Sequence, residues 1–165
     1  MIARTVARTA ASLVIAGSLI VGTAGCSFLS MSSTLIQYDP SDGVGTNVGD
    51  LNIRNAIALI SKDGKAVSLL ITIINSGSRS ALVTLQFQSG GKKTTVQKPV
   101  FAGKVASFGN TPDEEQLIVL NPGVKAGELF PVYVQSGDNP GTQLLVPVLE
   151  PTGEYSTLAP PEILR

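Results

Sequence analysis

Short runs of alternating apolar and polar residues fill the middle of the chain, and each is closed by turn-forming residues. Leu51, Ile53, Ile57 and Leu59 alternate with Asn52, Arg54 and Ala58. A period of two predicts a strand with one face in a core and the other in water. Ser61-Lys62-Asp63-Gly64-Lys65 then reverses the chain, Asp-Gly being a hairpin pair. Val67, Leu69, Ile71 and Ile73 carry the pattern on, and Leu70 and Ile74 add apolar bulk to the second face, which predicts a central strand. Val83, Leu85 and Phe87 alternate with Thr84, Gln86 and Gln88 as far as Gly90-Gly91. Lys92 to Lys98 reads as a polar edge strand, since lysine and proline discourage pairing with other molecules, and a separate strand is expected from Val100 to Phe108. Residues 117–120, 130–134 and 144–149 predict three more strands, with Pro147 marking an edge or a bulge.

Seven or eight short strands at this spacing, with no helical period, predict an all-β antiparallel sandwich over residues 49–150. Residues 26–48 are rich in Ser, Gly and Asp and predict a flexible tether. Its Ser and Thr residues suit a plain linker and an O-glycosylated stalk equally. Residues 151–165 are proline-rich and predict a loose C-terminal tail.

Residues 1–25 have the form of an export signal. Arg4 and Arg8 are followed by an uncharged apolar stretch and then by Thr23-Ala24-Gly25, directly before Cys26, the single cysteine of the chain. That is where a lipoprotein signal places the sulfur that receives diacylglycerol, with palmitate as a labelling acyl group. Thr23 departs from the Leu more usual at that position. Ordinary secretion, an uncleaved anchor and a cytosolic apolar helix are the alternatives. The stretch is shorter than the ~18 apolar residues a spanning helix needs, and Ser12, Gly17 and Ser18 interrupt it. The expectation is a lipid-anchored protein on the outer face of the cell membrane.

Twelve basic and twelve acidic side chains balance over the whole chain, and loss of Arg4 and Arg8 with the signal leaves the mature part mildly acidic. A nucleic-acid partner is not expected on that balance. With Cys26 lipidated no disulfide is available, so stability rests on an aliphatic core.

Tyr38-Asp39-Pro40-Ser41-Asp42-Gly43-Val44 and Val48-Gly49-Asp50-Leu51-Asn52-Ile53-Arg54-Asn55 resemble the opening of the actinobacterial LpqE-type surface lipoproteins. Leu120-Asn121-Pro122-Gly123 and Leu145-Val146-Pro147-Val148 are similar to their later strands. The resemblance implies lipid anchoring, an immunoglobulin-like sandwich and a distant relation to PCuAC copper chaperones. Copper in such chaperones is held by Met sulfur and His nitrogen. This chain has no His, Met1 leaves with the signal and Met31 lies in the tether, so no copper site is expected.

The same inventory limits catalysis. Without His the usual base near neutral pH is missing. Ser61-Lys62 and Lys104 near Ser107 supply the atoms of a Ser-Lys dyad without a recognisable signature, so neither an enzyme nor a cofactor is expected. Asp39, Ser41 and Asp42 around Gly43 lack the ligand repeat of a calcium loop and are adequate as a turn. Lys92, Lys93, Lys98 and Lys104 suit edge protection better than a basic patch.

The expected role is a non-enzymatic binding or structural one, with an envelope protein or wall polymer as partner, through Asn75 and Arg79, Asp113, Glu114 and Glu115, or Asp138 and Asn139. The alternatives are a carrier of a lipid or other apolar ligand and a degenerate relative of copper metallochaperones.

Overall fold

The computed structural model describes residues 41–161. The signal, Cys26, Met31 and most of the tether lie outside the described residues. Nine strands follow in order: β1 (Val44–Val48), β2 (Leu51–Ile60), β3 (Ala66–Asn75), β4 (Ala81–Ser89), β5 (Lys92–Val100), β6 (Val105–Phe108), β7 (Leu117–Leu120), β8 (Leu129–Ser136) and β9 (Thr142–Leu149). They form two facing layers. One runs β5-β4-β8-β9, and the other has β2 and β3 at its centre, with β1 on β2 and both β6 and β7 on the free side of β3.

The layers join along one side, where β9 turns to pair parallel with β2 at Ala58↔Val148 and Leu59↔Leu149. On the opposite side, Lys98 of β5 forms an ion pair with Glu115, its ammonium 5.6 Å from the Phe108 ring centroid. Ser89 Oγ donates to Leu120 O at 2.6 Å, and Gly90 N to Asn121 O at 2.8 Å. The core between the layers is aliphatic apart from Phe87, Phe108 and Phe130; the Phe87 and Phe130 rings lie 6.0 Å apart.

The all-β sandwich expected from the alternation is the fold observed, with nine strands in place of seven or eight. β1 lies within the stretch expected to be tether, because Val44 and Val48 pack on the core and the segment pairs with β2. β5 continues through Pro99 to Val100, and residues 101–104 turn before β6, so the expected strand over residues 100–108 is divided. β5 is a sheet edge, and Pro99 falls on it. Pro147 sits inside the path of the sheet. Val148 N donates to Glu128 O, so the Pro147 nitrogen points the other way, toward a stretch that β2 joins only from Val148 onward.

β2 also corrects the expected facing of its own residues. A bulge between Arg54 and Ile57, with Asn55 at φ 49°, inverts the alternation. Leu51 and Ile53 face the main core together with Ala56, Ala58 and Ile60, whereas Ile57 and Leu59 face outward. A 3-10 helix, Gly153–Leu158, covers this second apolar surface with Leu158, packed on Ile57, Leu59 and Leu70. Tyr155 packs there too and donates its hydroxyl to Asp42 Oδ2 at 2.9 Å. The expected loose tail is therefore an ordered cover as far as residue 161, because it buries what the bulge turns outward.

Candidate functional site

The residues expected to bind lie in two places. At one end of the sandwich the β3–β4 loop, the β1–β2 turn and the β8–β9 loop are linked by hydrogen bonds and contacts. Ser76 N donates to Asp50 O at 2.9 Å, Gly137 N to Leu82 O at 3.1 Å, and Asn139 lies against Gly49. Asn75 is only 1% exposed and is not a surface contact. Its Nδ2 donates to Arg79 O and Val100 O, each at 2.9 Å, and its Oδ1 accepts from Gly77 N. It holds the loop from inside. Asn139 is likewise partly engaged, Nδ2 donating to Ser136 O at 2.9 Å. Arg79 and Asp138 are exposed and form no ion pair among the described residues.

Asp113, Glu114 and Glu115 lie away from that end, in the β6–β7 loop. Glu114 Oε2 accepts from Ser107 Oγ at 3.0 Å and from Asn110 N at 2.9 Å, which braces the loop internally. Glu115 is taken up by Lys98, so only Asp113 is left without such a partner among the described residues. The structure therefore does not gather these three carboxylates into one site. Among the described residues no group of three His, Cys, Asp or Glu is placed to hold a metal ion.

A cleft of about 690 Å³ opens at the opposite end, between the β2–β3 turn, the segment before β8 and the chain leaving β9. Ile60, Val124, Ala126 and Pro151 form its apolar lining. Lys62, Lys125, Glu128 and Glu150 bring two charges of each sign to it, and none of these four forms an ion pair among the described residues. The wall before β8 is held by Gly127 N to Val148 O at 2.8 Å and by Lys125 N to the Glu128 carboxylate at 2.8 Å.

Across the cleft, Ser61 Oγ donates to Asp63 Oδ1 at 2.6 Å and accepts from Ala66 N at 3.0 Å. The Ser61 hydroxyl and the Lys65 backbone N–H together hold the Asp63 carboxyl below its usual range. Ser61 is thus a turn brace and not a poised nucleophile, and Ser107 is committed to Glu114. The lining comes from three separated segments, so nothing in the local sequence pattern marks the cleft.

No family model and no curated protein matches the chain. Solved structures do match in shape. The apo PCuAC domain of PmoF2 superposes with a TM-score of 0.52 at 12% identity, over 67% of this chain and 98% of that domain. The apo PCuAC domain of PmoF1 superposes with a TM-score of 0.54 at 14% identity, over 66% of this chain and the whole of that domain. The fold is similar to that of PCuAC domains. At such identity the likeness concerns the backbone arrangement alone.

Proposed function

We propose that this protein is a lipid-anchored, non-enzymatic binding protein of the outer cell surface, which uses a PCuAC-like sandwich to hold an organic ligand in its end cleft. The carrying observation is the cleft itself. Its volume of about 690 Å³ falls within the range usual for small-molecule sites, and it combines an apolar lining with charges of both signs that form no ion pair among the described residues. An apolar ligand between the sheets would compete with the side chains that fill the core, so a carrier role, too, is assigned to the cleft. Copper is disfavoured because the chain has no His.

Placement at the membrane rests on Cys26 behind Thr23-Ala24-Gly25, and the resemblance to LpqE-type lipoproteins points the same way. Two acyl chains make a durable anchor, at about 0.8 kcal/mol per buried methylene.

The test is mass spectrometry of the protein extracted from its own membrane. Acyl groups on Cys26 and a co-purified small molecule that is absent from an Ala126→Trp variant are expected. A Cys26→Ala protein that stays in the membrane fraction would overturn the anchor. A ligand retained by the Trp variant, or stoichiometric copper after loading with copper(I), would overturn the assignment of the cleft.

A further inference from the structure

The outward face of the β5-β4-β8-β9 layer is almost without charge. Strand register places Thr95, Gln86, Tyr133 and Gln143 in one row across all four strands, and Gln97, Thr84 and Gln135 in the next. Among the outward positions of these strands Lys93, at a corner, is the single charged side chain. A surface composed for solubility is given about 25–35% charged residues. A face built instead from amides, hydroxyls, one ring, prolines and the exposed Leu82, Leu129 and Leu145 gives a polycation nothing to pair with and a polyanion only Lys93.

This face also has a shaped centre. A depression of about 130 Å³ is bordered by Gln86, Phe87, Gln88, Lys93, Pro131, Tyr133 and Gln143, so a single cation stands at its rim. Tyr133 is held in place there from behind. A Cβ on Gly141 would fall 2.5 Å from the phenol Cζ and Oη, so the ring rests on backbone that only glycine leaves open. Tyr133 nevertheless remains 37% exposed. Of the amides, Gln97 is partly engaged, donating to Thr84 Oγ1 at 3.2 Å. The other amides keep their donors and acceptors free of side-chain partners among the described residues.

We propose that this face binds a neutral, hydroxyl-rich polysaccharide, with the Tyr133 ring as a platform for the C–H face of a sugar and Gln86, Gln88 and Gln143 as partners for its hydroxyls. Sugars need an apolar surface beside bidirectional hydrogen-bonding groups, and side-chain amides both donate and accept. The ring adds rigid contact area at little entropic cost. Four strands at their normal spacing give a row about 14 Å long, room for a short run of sugar units. The site lies on a different surface from the end cleft and does not depend on it.

Affinity electrophoresis of the full chain through gels containing dextran, mannan or galactan, with a polyuronate as the charged control, tests the proposal. Retardation by at least one neutral polymer and none by the polyuronate is expected. Tyr133→Ala, checked for an unchanged circular dichroism spectrum and melting temperature, should weaken retardation at least about tenfold. Tyr133→Phe should stay within about twofold, because stacking survives loss of the hydroxyl. Paired Gln86→Ala and Gln143→Ala changes should weaken retardation, and Lys62→Ala in the cleft should not. No retardation by any neutral polymer, equal retardation by the polyuronate, or a folded Tyr133→Ala protein that binds as well as the parent would overturn it. A face that instead captures only protein would also overturn it.

Discussion

Asn55 stands at φ 49° directly against Gly43, so close that a Cβ on Gly43 would fall 2.6 Å from the Asn55 carbonyl carbon. The bulge in β2 and the absent side chain in the facing segment therefore depend on one another. Gly43→Ala should destabilise by about 1–3 kcal/mol in denaturant unfolding, the usual range for forcing an atom into packed structure. Asn55→Val should cost at least about 1–2 kcal/mol, since a β-branched residue resists the left-handed region. Asn55→Gly should be neutral or stabilising, because it relieves that conformation and removes a buried Oδ1 that has no partner among the described residues. A stable Gly43→Ala protein with an unchanged transition would contradict the coupling.

The cover over Ile57, Leu59 and Leu70 should respond to alkali. Burial, with help from the Asp42 carboxylate, pushes the Tyr155 phenol up to about 12 from an ordinary 10.0. A raised pKa favours the protonated folded form. The stabilisation is complete below pH ~10 and is lost as pH rises toward 12, where the unfolded chain has already released the proton. Absorbance titration of tyrosinate should show a late-ionising phenol that disappears in Tyr155→Phe. Leu158→Ala should cost about 2–3 kcal/mol through the lost contact with the outward cluster.

Closure of the sandwich edge by Lys98 should be modest in energy and uneven between its two partners. The Lys98 side chain is 22% exposed and that of Glu115 60%. Glu115→Ala should therefore cost no more than about 1 kcal/mol, less at high salt. Lys98→Ala should cost more, since it also removes the ammonium from the Phe108 ring. Equal losses in the two variants, read by urea unfolding at low and high salt, would assign the whole effect to the ion pair.

Removing the Asn75 amide should loosen one whole end of the domain. Asn75→Ala leaves the Val100 carbonyl without its buried donor, a loss of about 1–3 kcal/mol. Hydrogen exchange should accelerate at Gly77, whose N–H loses its acceptor, and at neighbouring loop amides, while the β4–β8 ladder stays protected. Exchange unchanged at Gly77 would show that the loop is held by other means.

How far the structure could be read in advance varied with the range of the forces involved. Alternation marked β4 and β8 correctly because each has one face on the core and one in water. The same rule fails for Ile57 and Leu59, since a single left-handed residue shifts the period and its signature is only an asparagine. β1 carries no such signal, because its five residues form a weakly apolar segment held by backbone bonds to β2. Asparagine beside a Ser-Gly loop predicts a surface position for Asn75; its inward turn depends on carbonyls from Arg79 and from distant Val100.

The linear chain thus determined the class of fold, the turns and the absence of imidazole, all of which follow from residue identity and short spacing. Tertiary structure alone decided which apolar residues share a core, that the C-terminal stretch is a cover, and that an open cleft and a sheet face with a single charge exist. Those features join segments far apart in sequence, and the free energy that assembles them is spent only when the two layers meet.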